Sequence, residues 1–123
     1  MYMQKISKLF FVAVMFIAVL TGSACRTDNY VNTNTLRHLY SIFKNGEIDE
    51  CRYNGKTVYC AGLNAYDAGS VVYDMDGNRI GNCNYAWGPV DPICNQLENC
   101  QVIYRCANHI SGEPFVDKYG LSR

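Results

Sequence analysis

The chain opens on an uncharged apolar run, Leu9–Leu20, preceded by Lys5 and Lys8 and followed by small residues, Thr21 to Ala24. Beyond a polar stretch, Leu36, Leu39, Tyr40 and Phe43 fall at i, i+3, i+4 and i+7. That spacing lays one apolar stripe along a helix. Thr33, Asn34 or Thr35 is expected to cap its start, and Asn45-Gly46 to stop it in a left-handed turn. The pattern then shortens to the alternation of strands. Ile48 to Tyr53 and Lys56 to Cys60 flank Asn54-Gly55, the residue pair that a type I′ hairpin turn favours. In that register Cys51 faces Val58 and Cys60 faces Asp49. Ser70 to Asp74 and Arg79 to Cys83 flank a longer turn, Met75 to Asn78. Gln101 to Arg105 alternates, with Val102 and Tyr104 on one face. Asp91-Pro92 is expected to open a short helical turn running to Leu97. Ser111 to Arg123 is polar and reads as a surface segment. The expected fold class is α+β, one N-terminal helix packed on a small antiparallel sheet of hairpins and stabilised by disulfides.

The first run has the form of a secretory signal: basic start, short apolar centre, small-residue exit. Its 12 residues fall short of the roughly 20 that span a bilayer as a helix. The expected organisation is a signal peptide over residues 1–24, a tether over 25–34 and one small disulfide-rich domain over 35–123. Two cleavages fit. Gly22-Ser23-Ala24 suits ordinary signal peptidase cutting before Cys25. It also resembles a bacterial lipobox, in which Cys25 is acylated, although Gly22 stands where Leu is usual. Two or three acyl chains would hold the protein firmly on a membrane.

The chain has 123 residues and seven cysteines. With Cys25 assigned to lipidation, Cys51, Cys60, Cys83, Cys94, Cys100 and Cys106 remain, and six cysteines allow 15 pairings. Cys100 and Cys106 end one expected strand, roughly 20 Å apart at 3.3 Å per residue. A disulfide needs Cα atoms within about 7 Å, so these two are not expected to pair. Cys51 and Cys60 are diagonal neighbours across the hairpin. The preferred set is Cys51–Cys60, Cys83–Cys106 and Cys94–Cys100. A zinc site is disfavoured, because the three shortest gaps between neighbouring cysteines are eight, five and five residues and zinc favours two to four. No metal and no cofactor are expected.

Removing Lys5 and Lys8 leaves nine basic residues against eleven acidic, a net charge near −2. The basic residues are scattered, which argues against nucleic acid as a partner. Asp74-x-Asp76-x-Asn78 resembles the start of a calcium loop. However, Arg79 stands where that loop needs Gly and Tyr85 where it needs Glu, so a turn rich in Asp, Gly and Asn is the simpler account. No catalytic residue is assigned. The two histidines are His38, on the wet side of the helix, and His109, after the last strand. Asp49 and Glu50, adjacent in a strand, point to opposite faces. The loop Asn84 to Pro89, with Tyr85, Trp87 and Pro89, is the candidate contact surface, since aromatic residues with polar tips are enriched at interfaces.

Tyr53-x-Gly55-x-x-Val58-Tyr59, Val72-Tyr73-Asp74-x-Asp76-Gly77-Asn78-x-Ile80, Cys83 and Asp91-x-x-Cys94 resemble a group of small, uncharacterised lipoproteins of Bacteroidota envelopes, classed as a domain of unknown function. The resemblance covers roughly residues 47–97. It implies an envelope location and supplies no activity. The expected role is an exported, lipid-anchored binding or structural module, not an enzyme. Its partners would be the membrane, through the anchor, and an unidentified protein or envelope ligand. The alternative is a small inhibitor of a secreted protease or lysozyme, presenting the Tyr85–Pro89 loop or the Gly77 turn.

Overall fold

The apolar stripe forms helix α1, Thr33–Phe43, with Leu36, Leu39 and Phe43 buried. The structure is a computed structural model that describes residues 31–123. The leader, Cys25 and most of the tether lie outside the described residues. Asn32, the N-cap, accepts from the Thr35 amide at 3.2 Å, so the cap lies before the three residues expected to provide it. The same Asn32 donates its Nδ2 to the Met75 carbonyl at 2.8 Å, and the Thr35 hydroxyl donates to that carbonyl at 2.7 Å. The helix start is thereby fastened to the second hairpin turn. Asn32 to Asn34 belong to the folded unit, not to a tether.

Six strands follow: β1 Gly46–Tyr53, β2 Lys56–Leu63, β3 Val71–Tyr73, β4 Arg79–Asn82, β5 Glu98–Arg105 and β6 Val116–Asp117. They form one antiparallel sheet in the order β4-β3-β2-β1-β5-β6. The fold is α+β, with the helix on one face. Asn54 and Gly55 both have positive φ, 49° and 73°, as the type I′ turn requires. The register places Cys51 opposite Val58 and Asp49 opposite Cys60. The helix does not stop in a left-handed turn, since neither Asn45 nor Gly46 takes a positive φ. Gly46 is needed for another reason. A Cβ there would overlap the Gly62 carbonyl oxygen of β2.

Side chains alternate across β1 and β2, and each face has its own core. On the helix side, Ile48, Tyr59, Ala61, Tyr73 and Tyr104 are buried. Tyr40 meets Tyr104 edge-on with ring centres 5.1 Å apart, and Phe43 meets Tyr73 at 6.0 Å. On the reverse side Cys51, Val58, Val72, Cys83 and Ile93 form a second cluster.

Three expectations change. β5 does not alternate cleanly: Ile48 faces Tyr104 and Asp49 faces Val102, so Ile103 is an extra residue in a bulge, and Ile103 and Tyr104 are both buried. The turn at Pro92–Asn95 is a short 3₁₀ helix in which the Asp91 side chain makes no cap bond. Asp91 instead closes onto β4, accepting from the Asn82 amide at 2.7 Å while its own amide donates to the Asn82 carbonyl at 3.1 Å. The polar tail contributes β6, an edge strand beside β5. Beyond it the Asp117 carboxylate accepts from the Leu121 and Ser122 amides and the Ser122 hydroxyl.

The Asp74 turn is closed from within. Asp74 Oδ1 accepts from the Asp76 and Asn78 amides, both at 2.9 Å, and Oδ2 accepts from Asn78 Nδ2 at 3.0 Å. Desolvation alone would raise this carboxyl, but the bonds from Asn78, Asp76 and Gly77 hold it below the usual carboxylate range. Its oxygens are occupied by the turn they organise. Asp74→Ala is expected to cost about 1–2 kcal/mol in urea denaturation, and added calcium should leave the wild-type midpoint unchanged.

Candidate functional site

Two disulfides fasten the sheet, and neither belongs to the expected set. Cys51 pairs with Cys100 across β1 and β5, with Cα atoms 4.1 Å apart. A diagonal pair such as Cys51 and Cys60 is separated by roughly 7–8 Å, so the directly apposed Cys100 is the better partner. Cys83 pairs with Cys94, Cα atoms 5.7 Å apart, because the Asp91–Asn82 bonds fold the 3₁₀ turn back beside β4. Among the described residues Cys60 and Cys106 are unpaired thiols, which corrects the three expected bridges among the six downstream cysteines. Cys106 continues β5, its amide donating to the Gly46 carbonyl, and Cys60 lies in β2 opposite Asp49. Two strand spacings and three residues of strand separate them, roughly 14 Å, well beyond disulfide reach.

Cys60 opens into a cleft of about 340 Å³ at the end of the sheet face opposite α1. Strand alternation brings Glu47, Asp49 and Cys60 onto this face, and Ser70, Tyr85 and His109 complete the wall from three loops. Side-chain bonds hold those loops together. Asn84 donates to the Asp67 and Ala68 carbonyls at 3.3 and 3.5 Å, and its Oδ1 accepts from the Ala86 amide at 3.0 Å. Asn64 Oδ1 accepts from the Ile110 amide at 2.8 Å. His109 Nδ1 lies 2.8 Å from the Ser111 hydroxyl and 3.2 Å from the Ser111 amide nitrogen.

The floor is acidic. Glu47 is paired with Arg105 at 2.6 Å. Asp49 Oδ1 is buried and has no hydrogen-bond partner among the described residues. Burial, then the neighbouring Glu47, pushes the Asp49 carboxyl up to about 6, against a smaller downward pull from Arg105. Burial likewise pushes the Cys60 thiol up; a hydrogen bond from Ser70 opposes this, and Asp49 and Glu47 add to it. A thiol held in its neutral form is a poor nucleophile. Among the described residues no group of three or more His, Cys, Asp and Glu side chains is placed to hold a metal ion, and no helix is long and apolar enough to cross a membrane.

Because Asp49 binds its proton more tightly folded than unfolded, where the pKa is about 3.9, its contribution is full below about pH 4 and lost as pH rises through about 6. The stability of Asp49→Asn relative to wild type is therefore expected to grow between about pH 4 and 7 and then level. Urea midpoints of both proteins across that range check it, and a constant difference would refute the assignment.

The expected contact loop is divided. Tyr85 is 68% exposed at the rim of the cleft, beside Leu63 at 53%. Trp87 ends a short 3₁₀ turn, Tyr85–Trp87, and Pro89 follows in the exposed loop. Of the histidines, His109 reaches the cleft and His38 stays on the exposed side of α1. Glu47 was missed by sequence reasoning, although its i, i+2 spacing from Asp49 puts both carboxylates on one strand face. Glu50, on the other face, accepts from the Tyr119 hydroxyl at 2.8 Å.

Comparison with family models, with curated proteins and with solved structures returns no match.

Proposed function

We propose that this chain is an exported, lipid-anchored envelope module that works by binding rather than by catalysis. The observation that carries the reading is the cleft: a preformed hollow with exposed apolar residues on its rim, whose one thiol is kept neutral by burial and by two carboxylates. Exposed apolar groups around a concave polar floor suit a contact surface. The pinned loops lower the entropy lost on binding. Two disulfides fit an oxidising compartment, and Cys25 at the end of the leader fits acylation at a membrane. The resemblance to envelope lipoproteins points the same way.

A photo-crosslinking amino acid in place of Tyr85 tests the reading in intact cells. One discrete adduct is expected, with none from the same group at Lys56, in the Asn54-Gly55 hairpin. Adducts at both positions or at neither would contradict it. Inhibition of a secreted protease or lysozyme is the second reading, favoured by the exposure of Tyr85 on a loop held by Asn84 and Cys83–Cys94. The Gly77 turn is less suited to such a wedge, because it packs against Thr35. No inhibition at about micromolar concentration across a panel would exclude that reading.

A further inference from the structure

The reverse face of the sheet is covered over part of its length, where Ile93 packs on Gly81 and Val72. The cleft lies beyond this cover. Its floor and rim call for different chemistry. Asp49 Oδ1 is buried with no donor among the described residues, and a buried acceptor left unmet is costly. Glu47 already serves Arg105, and none of the residues lining the cleft is Lys or Arg. The rim, by contrast, exposes Leu63 and Tyr85, and Tyr66 stands 89% exposed on the neighbouring loop.

A ligand that meets both requirements has a cationic head on an apolar stem. Lys and Arg side chains are built this way and bury their stems along apolar surface, and an aromatic face such as that of Tyr85 adds attraction for the cation. A free amine or metal ion would leave the rim uncovered. A peptide segment would cover it with the residues beside its basic side chain. We propose that the cleft seats one Arg or Lys side chain of a protein partner, its head donating to Asp49 and its stem lying between Leu63 and Tyr85. This rests on the binding reading above and gives it a ligand chemistry. The charged and titratable groups facing Asp49 are Glu47 on its own strand, Arg105 on β5 and Cys60 on β2, with His109 at the wall. Only ionised Asp49 pairs with the guest, so binding weakens as the pH falls through about 6.

The test uses the full-length ¹⁵N-labelled chain and two probes. One is a capped pentapeptide with a central arginine between leucines. The other is its twin with citrulline, which keeps the shape and removes the charge. At about pH 7.5 the arginine peptide should shift the amides of Glu47, Asp49, Cys60 and Gly62 saturably. The citrulline peptide should bind about tenfold more weakly, and Asp49→Asn should lose about as much for the arginine peptide. Lowering the pH to about 5 should weaken the wild-type interaction and leave Asp49→Asn unchanged. Equal binding of both peptides would overturn the cation chemistry and leave the binding reading standing. No saturable shift from the arginine peptide up to about 10 mM would overturn the inference, and the crosslinking at Tyr85 would then decide the binding reading separately.

Discussion

Replacing Cys51 and Cys100 together with alanine is expected to lower stability by about 4 kcal/mol, the largest loss from any pair of cysteines. The bridge joins residues 49 apart in sequence, and the chain entropy that a crosslink removes from the unfolded state grows with the closed loop. Cys83–Cys94 closes only 11 residues, and its removal should cost about 3 kcal/mol. The longer bridge also joins β1 to β5, and β5 carries the β6 edge. Urea midpoints of the two double variants give the comparison. Cys60→Ala and Cys106→Ala serve as references, since neither breaks a bridge. A midpoint for Cys51→Ala/Cys100→Ala within that of the references would refute the pairing.

Gly46→Ala is expected to cost about 3 kcal/mol, although Gly46 lies in a strand where any residue can adopt the backbone conformation. The obstacle is the Gly62 carbonyl, which a Cβ would overlap. Backbone cannot swing aside as a side chain can, so β1 and β2 must part where Cys106 also bonds the Gly46 carbonyl. Gly55→Ala is the contrasting case. Nothing lies within 4 Å of a Cβ at Gly55, and its φ is 73°, so the cost is conformational and about 1 kcal/mol. Thermal or urea denaturation should rank Gly46→Ala well below Gly55→Ala. The reverse order would show that β1 and β2 do not approach as closely as described.

The contrast between these glycines also marks what sequence can carry. Asn54-Gly55 announces its turn because the constraint is local, two positive φ angles in succession, and the register of β1 and β2 follows from it. The helix is legible for the same reason, a stripe at helical spacing. Gly46, however, answers to a carbonyl sixteen residues away, and its neighbour Asn45 made it look like a helix stop. β6 has a single apolar residue, Val116, because an edge strand of two residues needs little burial, and no period of two can show in it. The bulge in β5 required knowing that Ile103 has no opposite number on β1, and a second register shift, opposite Glu50 and Arg52, contains Asn99 with its φ of 51°.

The cleft was hidden by an assignment rather than by distance alone. The hairpin register already placed Cys60 opposite Asp49, and Glu47 two residues from Asp49 shares that face. A Cys51–Cys60 bridge would leave no thiol on that face. Only the passage of β5 along the far side of β1, a contact between residues 49 apart, gives Cys51 a different partner. Tyr85 lies in the loop expected to make contacts, but the wall it forms with Ser70 and His109 depends on loops drawn together by Asn84 and Asn64.

The proposed anchor, together with two bridges and two remaining thiols among the described residues, makes one direct demand. Intact mass of the protein extracted from its native membranes, before and after alkylation in denaturant, should give a chain beginning at Cys25 with the added mass of acyl groups, and two alkylated thiols traced by peptide mapping to Cys60 and Cys106. A chain that retains residues 1–24, or begins at Cys25 without acyl groups, would contradict the anchored envelope module. Alkylation at none of the six downstream cysteines, or at Cys51 or Cys100, would contradict the scaffold on which the cleft is built.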